Sequence, residues 1–226
     1  MNNSKEQLIL ALKSQKISVG ILASNWLNFK ETQEILRNNQ ITLLHFDIAD
    51  GHFSPMFTVG AMAIKPFSSP FIKDVHLMVE NQFQVAKECV KAGANIITLQ
   101  IETTENLAEI YHWLNQQTSV LCGISLCPDT SLEQLDAFLD QIDLIQILTL
   151  DPRTGIKMDE TLLFERIKKL TDKLKRQGKD KLISIDGSMT FELAQKLQQF
   201  NINWVVSGSA LFAKDNLNEI LRKWIN

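Results

Sequence analysis

Short apolar runs alternate with longer amphipathic stretches along the whole chain. Eight of the short runs read as strands, at Ile17–Leu22, Thr42–Ile48, Ile72–Met78, Ile96–Gln100, Val120–Leu126, Leu144–Leu150, Lys181–Ile185 and Trp204–Val206. Several are nearly continuous in Ile, Leu and Val, which suits parallel strands buried on both faces. The stretches between them carry helical periodicity. Helices are expected at Asn28–Asn38, starting on a capping asparagine, and at Gln82–Ala92, ended by Gly93. Others are expected at Glu105–Asn115, Ser131–Asp140, Asp159–Gln177, Phe191–Gln199 and Asn216–Ile225. Ser131 with Gln134 resembles a capping box. Ala61–Phe67 has room only for a short helix, and Lys5–Lys13 reads as an extra amphipathic helix before the first strand, placed to plug the bottom of a barrel. Eight strands with intervening helices predict an α/β fold of the (β/α)8 TIM-barrel type, one domain over residues 1–226. A doubly wound open sheet is the alternative. No G-x-G-x-x-G follows the first strand and no Walker loop occurs, which disfavours a nucleotide-binding sheet.

Composition narrows the function. At 45% hydrophobic and 22% charged residues, the 226-residue chain has enough apolar content for a large core without disulfide or metal staples. The net charge of −3 and the lack of a basic block give no electrostatic footprint for nucleic acid. The most basic stretch, Lys168–Lys181, also carries Asp172 and Asp180 and reads as a solvated helix face with the loop after it. Cys89, Cys122 and Cys127 are odd in number and form no C-x-x-C, so buried thiols in a reducing cytosol are expected. Met1–Gln7 is polar, and no apolar run approaches the roughly 20 residues that span a bilayer. A cytoplasmic location without a membrane partner is the expectation.

In a barrel of this kind, chemistry belongs to the C-terminal ends of the strands. The second strand carries His45-Phe46-Asp47, and alternation puts His45 and Asp47 on one face. The third supplies Asp74-Val75-His76 and the seventh delivers Asp186 before Gly187. His45, Asp47, His76 and Asp186 form a set of two imidazoles and two carboxylates, a mixture that suits one divalent ion of Zn, Fe, Mn or Co. Each residue also has a plain structural reading. A strand-end histidine is commonly a hydrogen-bonded structural group, an aspartate before glycine (Asp50-Gly51, Asp186-Gly187) is commonly a turn residue, and Asp74 reads as a supporting or capping group.

The segments HFDIADGHFSPMFTVG (His45–Gly60), DVHLMVEN (Asp74–Asn81), ISLCPDT (Ile124–Thr130), LTLDP (Leu148–Pro152), IDGS (Ile185–Ser188) and VSGSALF (Val206–Phe212) resemble the ribulose-phosphate 3-epimerase family, in its order and spacing. The resemblance covers about Ile17 to the C-terminus, and its first two segments are the most specific. It implies a barrel of the ribulose-phosphate-binding type, with a metal held by His45, Asp47, His76 and Asp186. It also implies that Asp47 and Asp186 are the catalytic acid and base, moving a proton at C3 of a ketose phosphate through an enediolate. Phosphate is expected at Gly187, Ser188, Gly208 and Ser209, near the last strands where such barrels place it. Met78 and Gly155 are further candidates for substrate contact. A homo-oligomer is part of what the resemblance implies.

The chain departs from the family's pattern at several points. Gly20 stands where a first-strand serine is usual, and Ala49 and Leu148 replace methionines, so that Ala49 is expected to leave room above the metal. The glycine-rich stretch after the sixth strand is reduced to Asp151-Pro152-Arg153-Thr154-Gly155-Ile156-Lys157, where Arg153 or Lys157 is a candidate replacement for lost backbone donors and equally an ordinary surface residue. Ser188 replaces a common glycine, as in relatives acting on a hexulose phosphate. Three readings follow: conversion of D-ribulose 5-phosphate to D-xylulose 5-phosphate, the same chemistry on a hexulose phosphate such as D-allulose 6-phosphate, and a sugar-phosphate binder without catalysis.

Overall fold

The structure, a computed structural model, describes residues 5–214 and 216–225. Met1–Ser4, at the start of the polar stretch Met1–Gln7, lie outside the described residues, as do Asp215 and Asn226 of the expected 1–226 domain. Eight parallel strands close into a barrel in sequence order: β1 (Ile17–Gly20), β2 (Leu43–Ala49), β3 (Ile72–Met78), β4 (Ile96–Gln100), β5 (Leu121–Leu126), β6 (Leu144–Leu148), β7 (Leu182–Asp186) and β8 (Trp204–Ser207). The seam is made by β8 on β1, with Val19 opposite Ser207. The helices are α1 (Lys5–Leu12), α2 (Phe29–Asn38), α3 (Gln82–Lys91), α4 (Leu107–Asn115), α5 (Glu160–Arg176), α6 (Phe191–Leu197), α7 (Ser209–Phe212) and α8 (Leu217–Ile225). None of the described helices is long and apolar enough to cross a membrane.

Alternation sorts the strand residues into two sets. Outward residues such as Phe46, Val75, Ile97, Ile145 and Ile183 pack under the helices in the main core. Inward residues stack in layers. The bottom layer is apolar, with Leu43, Ile96, Leu121, Leu144, Leu182 and Trp204, and α1 closes it from below by inserting Leu8 and Leu12. The expected plug is therefore present. Burying two leucine side chains there contributes about 1.5–3 kcal/mol each. Above this floor the interior turns polar, with Ser18, His45, Asp74, Thr98, Gln146 and Ser184 all buried. Polar groups taken from water need partners, so this layer is where a site is built.

Several local expectations change; the first strand, for one, ends at Gly20, and Ile21–Ala23 form a 3-10 turn. Asn28 makes no capping bond with its side chain; the cap is Asn25, which accepts from Leu27 N–H at 3.0 Å and starts a 3-10 turn, Trp26–Asn28, ahead of α2. Ser131 and Gln134 do not form a capping box. Ser131 accepts from Glu133 N–H, and the segment is a 3-10 helix, Leu132–Ala137, too tight for a reciprocal bond three residues on. The sixth strand ends at Leu148 rather than Leu150. Residues 149–158 turn back as a hairpin, with Met158 N–H donating to Thr149 O at 2.8 Å and Asp151 N–H to Ile156 O at 2.9 Å. All three cysteines are buried and free.

Candidate active site

The polar interior opens at the C-terminal mouth of the barrel into a cavity of about 250 Å³. β2 and β3 pair so that Asp47 lies beside His76, and β6 pairs with β7 so that Leu148 lies beside Asp186. One donor atom from each of His45, Asp47, His76 and Asp186 lies within 4.8 Å of all the others. Asp47 Oδ1 is 3.3 Å from His45 Nε2 and 3.2 Å from His76 Nδ1, and Asp186 Oδ2 is 3.7 Å and 3.9 Å from the same two nitrogens. Donors held about 2.1 Å from one ion stand roughly 3 to 4 Å apart, and these pairs fall in that range.

The outward nitrogen of each imidazole is already engaged. His45 Nδ1 donates to Asp74 Oδ2 at 2.8 Å, and Ser18 Oγ donates to the same oxygen at 3.1 Å. His76 Nε2 faces Gln100 Oε1 at 2.7 Å. Each ring is thus left with one nitrogen turned inward at two carboxylates. A lone pair facing an anion is repulsive unless a proton or a cation stands between them, so the four residues fit a divalent ion. Two imidazoles and two carboxylates suit Zn, Fe, Mn or Co. Asp186 is held at both oxygens, Oδ1 by Gly187 N–H at 2.6 Å and Oδ2 by Gln146 Nε2 at 3.1 Å.

Without a metal, protons take the cation's place. Burial alone would lower the His45 pKa, but Asp74 and Asp47 outweigh it and raise the ring well above the usual imidazole range. His76 rises for the same reason, burial being outweighed by its bond to Asp47 and by the charges of Asp47 and Asp186. Burial also opposes ionisation of Asp47, yet His45 and His76 hold that carboxyl well below the ordinary range. Asp186 is pushed up to about 6, by burial and then by Asp47. The pH dependence follows from these directions. Raised histidines give stability that is full below about 6.5 and lost as pH climbs through their folded values, and Asp186 adds a cost that grows from pH 3.8 to about 6. Asp47 acts the other way, but only as pH falls below its unfolded value near 3.8. Chelated protein is therefore expected to weaken as pH rises through this window, while ions compete better as protons leave. Melting curves of Mn-loaded and EDTA-treated protein at about pH 5.5 and about pH 8 check this; the gap in Tm widens at the higher pH, and a constant gap would refute the assignment.

The remaining candidates divide by position. Gly187, Ser188, Gly208, Ser209 and Met78 line the cavity together with Gly20, Met56, Leu148, Pro152 and Met189. Gly187 has φ +104, and a Cβ there would lie 3.0 Å from Leu150 N, so only glycine fits between β6 and β7. Ser188 keeps φ +44, an uncommon conformation for a residue with a side chain. The first amides of α7, from Ser209, lack an acceptor one turn back and face an anion readily. Among the lining residues there is no lysine or arginine. Gly155, Arg153 and Lys157 are not among them. Arg153 instead clamps its own hairpin, with Nε 3.0 Å from Asp151 Oδ1, one Nη 2.8 Å from Asp151 Oδ2 and 3.0 Å from Asp129 Oδ1. Lys157 bridges backbone with Leu150. Ala49 is also outside the lining, and Thr58 folds back on its backbone, donating N–H to Ala49 O and accepting from Ala49 N–H. Gly20 has a packing cause, since a Cβ on it would sit 3.0 Å from Gly208 Cα across the β1–β8 seam.

Gln100 and Gln146 are the functional neighbours that sequence reasoning passed over. Their signal was present: each is a long polar residue at an inward position of a mostly aliphatic strand. Met56 and Met189 come from loops and carry no periodic signal.

Comparison with known proteins agrees with this geometry. A family model described as the ribulose-phosphate 3 epimerase family matches residues 16–212. A Salmonella paratyphi A protein bearing the name epimerase LsrE is 42% identical over 98% of this chain and 90% of its own. A ribulose-phosphate 3-epimerase of Chlamydia muridarum is 32% identical over 78% of each chain. Among solved structures, a ligand-bound KGPDC from Streptococcus mutans superposes with a TM-score of 0.67 at 14% identity, over 92% of this chain and 94% of that one, a likeness of fold alone.

Proposed function

Because this chain belongs to the ribulose-phosphate 3-epimerase family, and so is an epimerase acting on sugar phosphates, we propose that it inverts C3 of a ketose phosphate, D-ribulose 5-phosphate to D-xylulose 5-phosphate, between Asp47 and Asp186. The observation that carries this reading is the convergence of four donor atoms within 4.8 Å at the barrel mouth. His45, Asp47, His76 and Asp186 are the residues that would hold a divalent ion. When bound, such an ion supplies positive charge that favours the enediolate over the ketone.

The rest is the work of the chain itself. Inversion beside a carbonyl requires a proton to leave one face and another to arrive on the opposite face. Asp47, on β2, and Asp186, on β7, enter the mouth from different strands and serve as base and acid in turn. Two carboxylates whose pKa values are driven in opposite directions form the usual pattern of such a pair. The bonds from Gly187 and Gln146 keep Asp186 aimed, which matters because a proton moves only over hydrogen-bond distance. Met78, Leu148, Met56 and Met189 supply apolar walls that displace water from the reacting carbon. With no lysine or arginine in the lining, the phosphate falls to the amides and hydroxyls of Ser188, Gly208 and Ser209.

A hexulose phosphate such as D-allulose 6-phosphate is the second reading. It is favoured by Ser188 at the cavity. The test is kcat/KM for both substrates with the metal-loaded protein. Selection of the pentulose by about tenfold or more supports the first reading, the reverse supports the second, and no turnover of either with any divalent ion overturns both.

A further inference from the structure

Beyond the four donors, a chain of hydrogen bonds runs outward from His76. Gln100 Oε1 lies 2.7 Å from His76 Nε2, and Gln100 Nε2 lies 2.7 Å from Glu102 Oε2. The other oxygen of Glu102 accepts from Cys127 N–H at 2.8 Å and from the Thr130 hydroxyl. Cys127 O and Thr130 O in turn accept from Arg166 on α5. Glu102 is thereby tied to the loop after β5 and cannot swing away.

This arrangement has a direction. A carboxylate only accepts, so Glu102 must receive the amide N–H2 of Gln100. The Gln100 carbonyl is then left pointing at His76. A carbonyl also only accepts, so His76 Nε2 must carry the proton and Nδ1 must hold the free lone pair. The other imidazole is set the opposite way: His45 is protonated on Nδ1 by its bond to Asp74 and offers Nε2. Two histidines on neighbouring strands thus present opposite ring nitrogens to one point, and each choice is made by a carboxylate, Asp74 directly and Glu102 through an amide. Gln100 itself is buried, so its amide has no water through which to turn over at low cost.

We propose that Glu102 is a positioning residue for the metal centre, acting through the Gln100 amide to hold His76 in its Nε2–H tautomer with Nδ1 turned to the ion. The proposal rests on the reading of His76 as a ligand. It adds that a carboxylate on the strand-four loop, outside the cavity lining, governs metal affinity.

The test exploits polarity. Glu102→Gln keeps shape but puts an amide N–H2 against that of Gln100, which forces the Gln100 amide over and turns its N–H2 at His76. Adding Gln100→Glu reverses both groups, so residue 102 donates, residue 100 accepts from His76, and the bonds to Cys127 and Thr130 survive. Co²⁺ affinity is measured by competition with a chelator. The His76 tautomer is read by ¹⁵N NMR of the metal-free protein at alkaline pH, once the ring is neutral. Wild type shows the Nε2–H pattern and binds one ion. Glu102→Gln loses that pattern and binds about 10- to 100-fold more weakly, and the double variant recovers both. A purely structural role for Glu102 would not be rescued by the second substitution. An Nδ1–H tautomer in wild type, unchanged affinity in Glu102→Gln, or no recovery in the double variant overturns the proposal. Wild type that binds no Co²⁺ overturns the ligand reading and this inference with it, whereas a binding wild type with an indifferent Glu102→Gln overturns this inference alone.

Discussion

Asp186→Asn lowers kcat by about 10³- to 10⁴-fold, the range expected when an acid–base group is removed from an otherwise assembled site. Asparagine retains an oxygen for Gly187 N–H or Gln146 and removes a carboxyl whose pKa burial and Asp47 push up to about 6. The fold therefore tolerates the change, and Tm stays within a few degrees of the parent. The informative readout is isotopic. In D2O the variant retains Asp47, which still exchanges the C3 proton of the epimer that presents that proton to it. The other epimer exchanges nothing. Asp47→Asn shows the mirror-image result. Equal loss of exchange from both epimers would mean that the two carboxylates do not act on opposite faces, and unchanged kcat would remove Asp186 from the reaction.

His45→Gln, or extraction of metal with a chelator, takes turnover below detection. His45 is fully buried and supplies one of four donors, so its loss should weaken metal binding by more than the 10- to 100-fold typical of outer partners. Glutamine leaves a polar group beside Asp74. Alanine would leave that carboxylate buried with Ser18 as its remaining partner, at a cost of about 3–5 kcal/mol that confuses affinity with folding. Chelation is the cleaner arm. Readdition of a stoichiometric divalent ion restores the parent's rate but not that of the variant. Turnover that survives exhaustive chelation, with metal content checked by elemental analysis, would show that the four donors serve structure only.

What could be read in the sequence depended on whether a signal repeats. β3 and β4 were legible to the residue because Val75 and Leu77, and Ile97 and Leu99, hold an apolar outward face while Asp74, His76, Thr98 and Gln100 alternate with them. The four donors were legible because alternation places His45 with Asp47, while His76 and Asp186 stand near the ends of two other strands at a mouth that a barrel must have. Residues whose role depends on a single contact across the fold were not. Gln100 reads as the polar end of a strand until His76 and Glu102 are seen on either side of it. Arg153 is two residues from Asp151, and a guanidinium so close to a carboxylate on a tight turn closes on it instead of reaching for substrate. The return of Thr58 along β2 was not legible either, because that loop has no periodicity to announce it.

The floor of inward side chains that α1 seals has a kinetic consequence. A barrel packed from its lower end up to the polar layer has one doorway, so the incoming sugar and the outgoing epimer must take turns in the same passage. Each product molecule then obstructs the next arrival until it clears, and inhibition by product is competitive by construction.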